Sequence, residues 1–333
     1  MSQGRPVRDV SSGTGPAISG NGRGDFWAIT THFNPGRYAS RLRNYRRFRS
    51  RLAMPLLAIE HAAGGRFELA DDDADIVVRV GGGDVMWQKE RLVNLALPAL
   101  PASCTKVAWL DSDIVFDRPD WTHAASRLLN QRPLIQPFSH AFYMPHGWAP
   151  GDAVKAALDL RHPAAWLVAQ GAAPEHAVAI TGGASEPMQY TPGLAWAARR
   201  DFLAAHSLYD ACIVGGGDGA MLRAAFGLPH LTRDFQKMQP GRYQHYLAWA
   251  EPFRQGLGGD GVGFIDGAVY HLWHGRPAQR RYIDRHAALA AHGYDPHTDI
   301  GLSPGGAWAW TSDKPALHAF VRNYFADRRE DDG

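Results

Sequence analysis

The sequence predicts an α/β protein with a mostly parallel central sheet flanked by helices, and three observations predict it. Apolar runs of strand length alternate with helix-period segments up to residue 116. Val107-Ala108-Trp109-Leu110 is apolar without alternation, as expected of a strand buried on both faces. That run stops at Asp111-Ser112-Asp113, which places two carboxylates at a strand's carboxyl end. Ligands of open α/β sheets gather at such ends.

The elements follow in order. Phe26–Thr31 is the first strand, and His32-Phe33-Asn34-Pro35-Gly36 carries the turn chemistry that ends it. Tyr38, Leu42, Tyr45, Phe48 and Leu52 then recur at helical spacing. Seven arginines from Arg37 to Arg51 occupy the other side of this helix. A solvated face is their default role; the alternative is that one near the helix start faces a diphosphate. Pro55–Glu60 reads as a second strand ending in an acid, and Ala74–Val80 as a third. Gly81-Gly82-Gly83 breaks the third strand, and Asp84 is expected to N-cap a helix through about Leu97, stopped by Pro98.

The second half is less regular. Residues 138–151 read as an aromatic, Pro-rich loop, Asp152–Gln170 and Arg199–His206 as helices, and Leu194–Ala198 and Gly267–Tyr270 as strands. The expected organisation is a disordered Gly/Ser/Pro-rich leader over 1–24, one domain over 25–325, and a charged tail over 326–333.

Composition narrows the function. The chain has 333 residues, 45% apolar and 20% charged, with a net charge of +2. A dedicated nucleic-acid binder is normally far more basic. Cys104 and Cys212 form neither a disulfide framework nor a metal-binding spacing, which suits a reducing, cytoplasmic setting. No apolar run approaches the ~20 residues of a membrane span, and no signal peptide is apparent.

Three features carry chemistry. Asp111 and Asp113 stand at i and i+2, so both can serve one divalent ion whose other ligands are water and substrate phosphate. A polar turn is the plain reading of the same residues. Gly215-Gly216-Gly217-Asp218-Gly219 opens a short helix, with Asp218 as either a functional acid or its N-cap. Tyr270-His271-Leu272-Trp273-His274-Gly275 offers neutral imidazole to a metal begun by the carboxylates. Residues three apart in extended chain face opposite ways, so only one of His271 and His274 is expected to serve. Trp148, Trp196 and Trp273 fall in loop-like or strand-end settings whose flat rings suit sugars.

Taken in this order, the segments resemble metal-dependent glycosyltransferases of the GT-A fold, of the bacterial family-2-like and galactosyltransferase-like kind, over about residues 26–300. The resemblance implies a Rossmann-like single domain, with a nucleotide-binding half over 26–116 and an acceptor half over 117–310. It implies a nucleotide-sugar donor, a UDP-sugar first, with Mn²⁺ or Mg²⁺ on its diphosphate. The acceptor would be a hydroxyl-bearing molecule such as a carbohydrate; peripheral membrane association is compatible and nucleic acid is not implied. Asp111 and Asp113 match the D-x-D motif, the first toward the nucleotide and metal and the second on the metal. His271, with His274 as substitute, matches the late metal ligand. Thr31, Asn34, Glu60 and Lys89 match nucleotide-binding positions. Asp218 matches the base of inverting relatives, without the tryptophans and adjacent Glu those carry there.

Two rival readings accompany this one. Asp111-Ser112-Asp113-Ile114-Val115 with Gly217-Asp218-Gly219 also resembles haloacid-dehalogenase-like phosphatases, in which Asp111 would be the nucleophile. The other rival is a sugar-binding, transferase-like domain without turnover.

Overall fold

The computed structural model describes residues 24–179, 190–259, 261–281 and 284–331. The expected leader lies outside these apart from Gly24, as do the last two residues of the tail. Strands β1 (Phe26–Phe33), β2 (Leu56–Ala62), β3 (Ile76–Gly81) and β4 (Lys106–Leu110) are parallel, in the order β3-β2-β1-β4. The chain steps outward from β1 to β3 and then returns to the other side of β1. That reversal opens a crevice beyond the carboxyl ends of β1 and β4, where α/β sheets bind ligands.

The remaining strands are β5 (Ile114–Phe116), β6 (Leu134–Gln136), β7 (His140–Tyr143), β8 (Asp159–Pro163), β9 (Tyr190–Thr191), β10 (Ala195–Arg199), β11 (Gly263–Phe264) and β12 (Ala268–His271). A hairpin of β13 (Ile300–Leu302) and β14 (Trp308–Trp310) follows. Antiparallel β10, then β6 and β11, extend the central sheet past β4 to seven strands. A second sheet, β5-β12-β7-β8-β9, stands beside it.

The helices are α1 (Ala39–Arg51), α2 (Lys89–Ala96), α3 (Trp121–Leu129), α4 (Ala164–Ala169), α5 (Pro174–Ala177) and α6 (Arg200–His206). After them come α7 (Gly217–Ala225), α8 (Pro229–Gln236), α9 (Pro240–Leu257), α10 (Asp284–Ala291), α11 (Pro296–Asp299) and α12 (Pro315–Ala326). Successive strand residues feed opposite faces of the sheet. Ile29, Leu57, Ile59, Val107 and Trp109 pack with α2, α6, α7 and α9. Ala28, Leu56, Ala58, Ala108 and Leu110 pack with α1 and α3 on the other side. Cys212 is plain core, and Trp196 stacks on Trp109 at 6.2 Å within it. Trp148 is buried as well, which leaves Trp273 alone of the three tryptophans on the cavity described below.

The structure corrects several sequence expectations. Residues 152–170 do not form one helix: a short 3₁₀ turn, β8 and α4 share them. Pro163 ends β8 and cannot sit inside a helix. Residues 140–143 of the expected loop are β7. The helix expected from Asp84 begins at Lys89, because the Asp84 carboxylate accepts the Trp310 N–H at 2.8 Å instead of capping.

Residues 327–331 of the charged tail fold back on the body. The Asp331 carboxylate accepts the N–H groups of Ala39 and Ser40 at 2.8 Å each, capping α1, which has no side-chain cap of its own. None of the described helices is long and apolar enough to cross a membrane.

Candidate active site

A cavity of about 780 Å³ opens at the crevice beyond β1 and β4. Thr31, Lys89, Asp111, Asp113, Asp218, His271 and His274 all line it. Asn34 and Glu60 do not: both serve the loop after β2. The Glu60 carboxylate accepts the N–H groups of Glu68 and Leu69 at 2.6 and 3.1 Å and is 2% exposed. Asn34 donates to Glu68 at 2.9 Å and accepts the Tyr38 N–H. His32, Glu60 and Glu68 also lie close enough together for a metal. Those contacts, with a His32–Glu68 pair at 2.9 Å, make the cluster a brace.

The two aspartates of the turn after β4 part company. Asp111 Oδ1 meets Lys89 Nζ at 2.6 Å, and the same ammonium donates to Asp218 Oδ2 at 2.9 Å. Burial would lower the Lys89 pKa, but Asp111, Asp218 and Glu90 hold it above the ordinary value. Lys89 is therefore a fixed cation between two carboxylates. Burial pushes Asp111 up to about 6 despite Lys89, with Asp218 and Asp113 adding to the rise.

Asp113 faces two imidazoles. Its carboxylate lies 3.7 Å from His271 Nε2 and 3.3 Å from His274 Nε2, and those two nitrogens are 2.8 Å apart. Register explains the convergence: His271 pairs with Ile114 across β12–β5, and the Leu272 N–H donates to the Asp113 carbonyl at 2.8 Å. β12 ends at His271, so the chain turns and brings His274 round to the same point. The expectation that His271 and His274 face opposite ways is thus corrected, since the residues between them are not extended strand.

Donors at about 2.1 Å from a metal lie roughly 3.0–3.4 Å apart between right-angled and tetrahedral geometry, a range that falls inside the 2.8–3.7 Å span of these three contacts. Burial lowers the His271 pKa to about 4, leaving a neutral ring able to ligate. Asp113 Oδ1 is buried with no hydrogen-bond partner among the described residues. A carboxylate oxygen and two imidazole nitrogens that meet at 2.8 Å form a donor set that fits a divalent ion.

Asp218 stands in the first turn of α7, and the three glycines before it have separate reasons. Gly215 and Gly216 take φ of 85° and 96°, a left-handed conformation that favours glycine. Gly217 packs against the Glu90 carboxylate, which leaves no room for a Cβ. The N-cap is Gly216, not Asp218, so the capping reading of that acid is not what is seen. Opposite it, Leu194 adopts φ of 77°, an unusual conformation for a non-glycine residue. Its carbonyl accepts the Asp111 N–H at 2.8 Å, which ties this turn to the aspartate loop.

Glu90 gives a pH signature. Burial first, and then the charge of Asp218, push its carboxyl up to about 8 from an ordinary 4.5, against the pull of Lys89. Between those values the folded protein keeps a proton that the unfolded chain releases. Stability therefore falls as pH rises through that window. In melts of metal-free protein, the Tm of Glu90→Gln should gain on wild type between pH 5 and 8. A constant difference would contradict a neutral Glu90.

Sequence reasoning missed Arg328, Glu330 and Arg285, which also line the cavity. Glu330 meets Arg41 and Arg285 meets Tyr324 from far along the chain, and no local pattern marks them. Arg41 is the arginine near the α1 start that turns inward to the cavity.

No family model matches the chain, and no curated relative matches it. Solved structures resemble it in part. A mannosyltransferase from Pyrobaculum calidifontis in complex with GDP-Man and Mn²⁺ is 14% identical at a TM-score of 0.39, covering 91% of this chain and 73% of that one. Staphylococcus aureus TarS 1–349 with UDP-GlcNAc is 10% identical at 0.32, covering 60% of this chain and 52% of that one. The chain thus matches about half the length of that TarS fragment. A 4-diphosphocytidyl-2C-methyl-D-erythritol synthase from Anaerococcus prevotii is 10% identical at 0.32, covering 73% and 86%. At these TM-scores none of them decides the family, and the weight falls on the geometry of the site.

Proposed function

We propose that this chain is a GT-A-type, metal-dependent glycosyltransferase that moves a sugar from a nucleotide-sugar donor to a hydroxyl acceptor. One observation carries the reading. The Asp113–His271–His274 cluster and the Asp111–Lys89–Asp218 chain share one cavity at the sheet's switch point. A metal site can offset charge on a departing diphosphate, and an acid beside it can take the proton of the attacking hydroxyl.

Asp113, His271 and His274 would hold the metal, and two nitrogen donors favour Mn²⁺ over the strictly oxygen-seeking Mg²⁺. When bound, the ion offsets charge developing on the departing diphosphate. Asp111 and Thr31 face the nucleotide, a UDP-sugar first. Asp218 removes the proton of the acceptor hydroxyl as its oxygen attacks the anomeric carbon, in a single in-line displacement that inverts it. Lys89 donates to Asp218 at 2.9 Å and fixes the carboxylate in place.

Gly193 gives a local test of that placement. A Cβ there would come within 2.7 Å of Asp218 Oδ2, and the backbone of Gly193 is one that alanine tolerates. Gly193→Ala should shift the carboxylate and lower kcat about 10–100-fold, with a nearly unchanged Tm. Wild-type kcat would remove Asp218 from the role of base.

The general test is nucleoside-diphosphate release from UDP-, GDP- and dTDP-sugars with Mn²⁺ or with EDTA. Metal-dependent release from one donor class is expected. Release from none, with hydrolysis of a simple phosphate ester that needs Asp111, would favour the phosphatase instead. Binding of sugar without turnover would favour the non-catalytic reading.

A further inference from the structure

A cationic wall lines the same cavity as the three aspartates. Arg41 and Arg328 share one carboxylate, that of Glu330, which is 1% exposed. Arg41 meets it at 2.5 and 2.8 Å, and Arg328 Nε at 2.7 Å. Arg280 stands 3.8 Å from the same carboxylate, so three guanidinium groups converge on a single counter-charge. Arg328 is 4% exposed, lies 5.6 Å from the Trp87 ring centre, and has a buried Nη1 without a hydrogen-bond partner among the described residues. An open donor on a buried cation is costly unless something accepts from it.

The N-terminus of α7 opens onto the same cavity. This nine-residue helix has Gly216 as N-cap and no side-chain cap, and Gly215, Gly216 and Gly219 line the cavity with Asp218. Its first-turn N–H groups have no partner within the helix and attract anions. Arg285 lies against this turn: a Cβ on Gly215 would sit 3.4 Å from its Nη1. The same nitrogen donates to Tyr324 Oη at 2.6 Å, and Arg328 lies 5.9 Å from the Tyr324 ring centre. Tyr324 therefore links the two arginines into one surface.

We propose that the acceptor carries a phosphate group, held by Arg328, Arg285 and the first-turn amides of α7. The proposal rests on the glycosyltransferase reading above. Asp218 belongs to that same turn of α7, so an anion bound there travels with the molecule whose hydroxyl Asp218 deprotonates. The donor's diphosphate is assigned to the Asp113–His271–His274 cluster instead. A tetrahedral oxyanion has enough acceptor oxygens to meet two guanidinium forks and a helix end at once.

The test is a calorimetric titration of inorganic phosphate into protein saturated with Mn²⁺ and UDP, which fill the donor site. Phosphate should bind to that complex, at least about tenfold more weakly in Arg328→Gln, with Arg328→Lys between the two. Melting curves show whether each variant is folded, and the lysine variant keeps the Glu330 pair available if the glutamine one is not. Phosphate that fails to bind, ignores both variants, or is displaced by UDP would overturn the proposal. The last outcome would assign the arginines to the donor. Failure of UDP to bind wild type would strike the transferase reading itself. Phosphate titrated without UDP would then still report on the Arg328 subsite.

Discussion

Asp113→Asn is expected to lower metal-stimulated release of nucleoside diphosphate by about 1,000-fold, the size of a several-kcal/mol loss of charge stabilisation. The amide keeps the shape of the side chain but removes the negative charge that the two imidazoles face at 3.3 and 3.7 Å. Mn²⁺ affinity should fall with it, and high Mn²⁺ should restore part of the rate. His271→Ala and His274→Ala extend the test. Because both rings reach Asp113, each should weaken Mn²⁺ binding by about tenfold or more. Wild-type affinity in either variant would show that only the other ring binds.

Asp218→Asn is expected to lower kcat by about 10²–10⁴-fold, the range of a lost general base. Binding of Mn²⁺ and UDP should stay close to wild type, since the metal cluster is separate and Lys89 keeps Asp111 at 2.6 Å. The split between kcat and donor binding is the diagnostic. Loss of both together would place Asp218 in donor binding, and unchanged kcat would mean that another group takes the proton.

How much of this was legible in the chain depends on the range of each contact. The central sheet was readable because strands buried on both faces leave unbroken apolar runs, such as Val107–Leu110. The position of Asp111 and Asp113 followed from the end of that run. Their separate partners did not, because Lys89 reaches Asp218 across 129 residues. The convergence of His271 and His274 needed both the β5–β12 register and the turn after β12, neither of which has a local signal. Glu60 was expected to end its strand, yet β2 runs on to Ala62 and the backbone of Glu68 and Leu69 claims the carboxylate. Arg41 was visible only as one arginine of a charged helix face. Its partner Glu330 is 289 positions away, in a segment that composition alone marks as a tail.

The most direct measurement is pulsed electron paramagnetic resonance of Mn²⁺ bound to the protein with UDP. Hyperfine coupling to imidazole nitrogen from His271 and His274, together with coupling to UDP phosphorus, is the expected result. The nitrogen signal should shrink in each histidine variant, and both signals should weaken in Asp113→Asn and recover in part at high Mn²⁺. Manganese that shows only water, or imidazole without phosphorus when UDP is present, would contradict a donor diphosphate held at Asp113, His271 and His274.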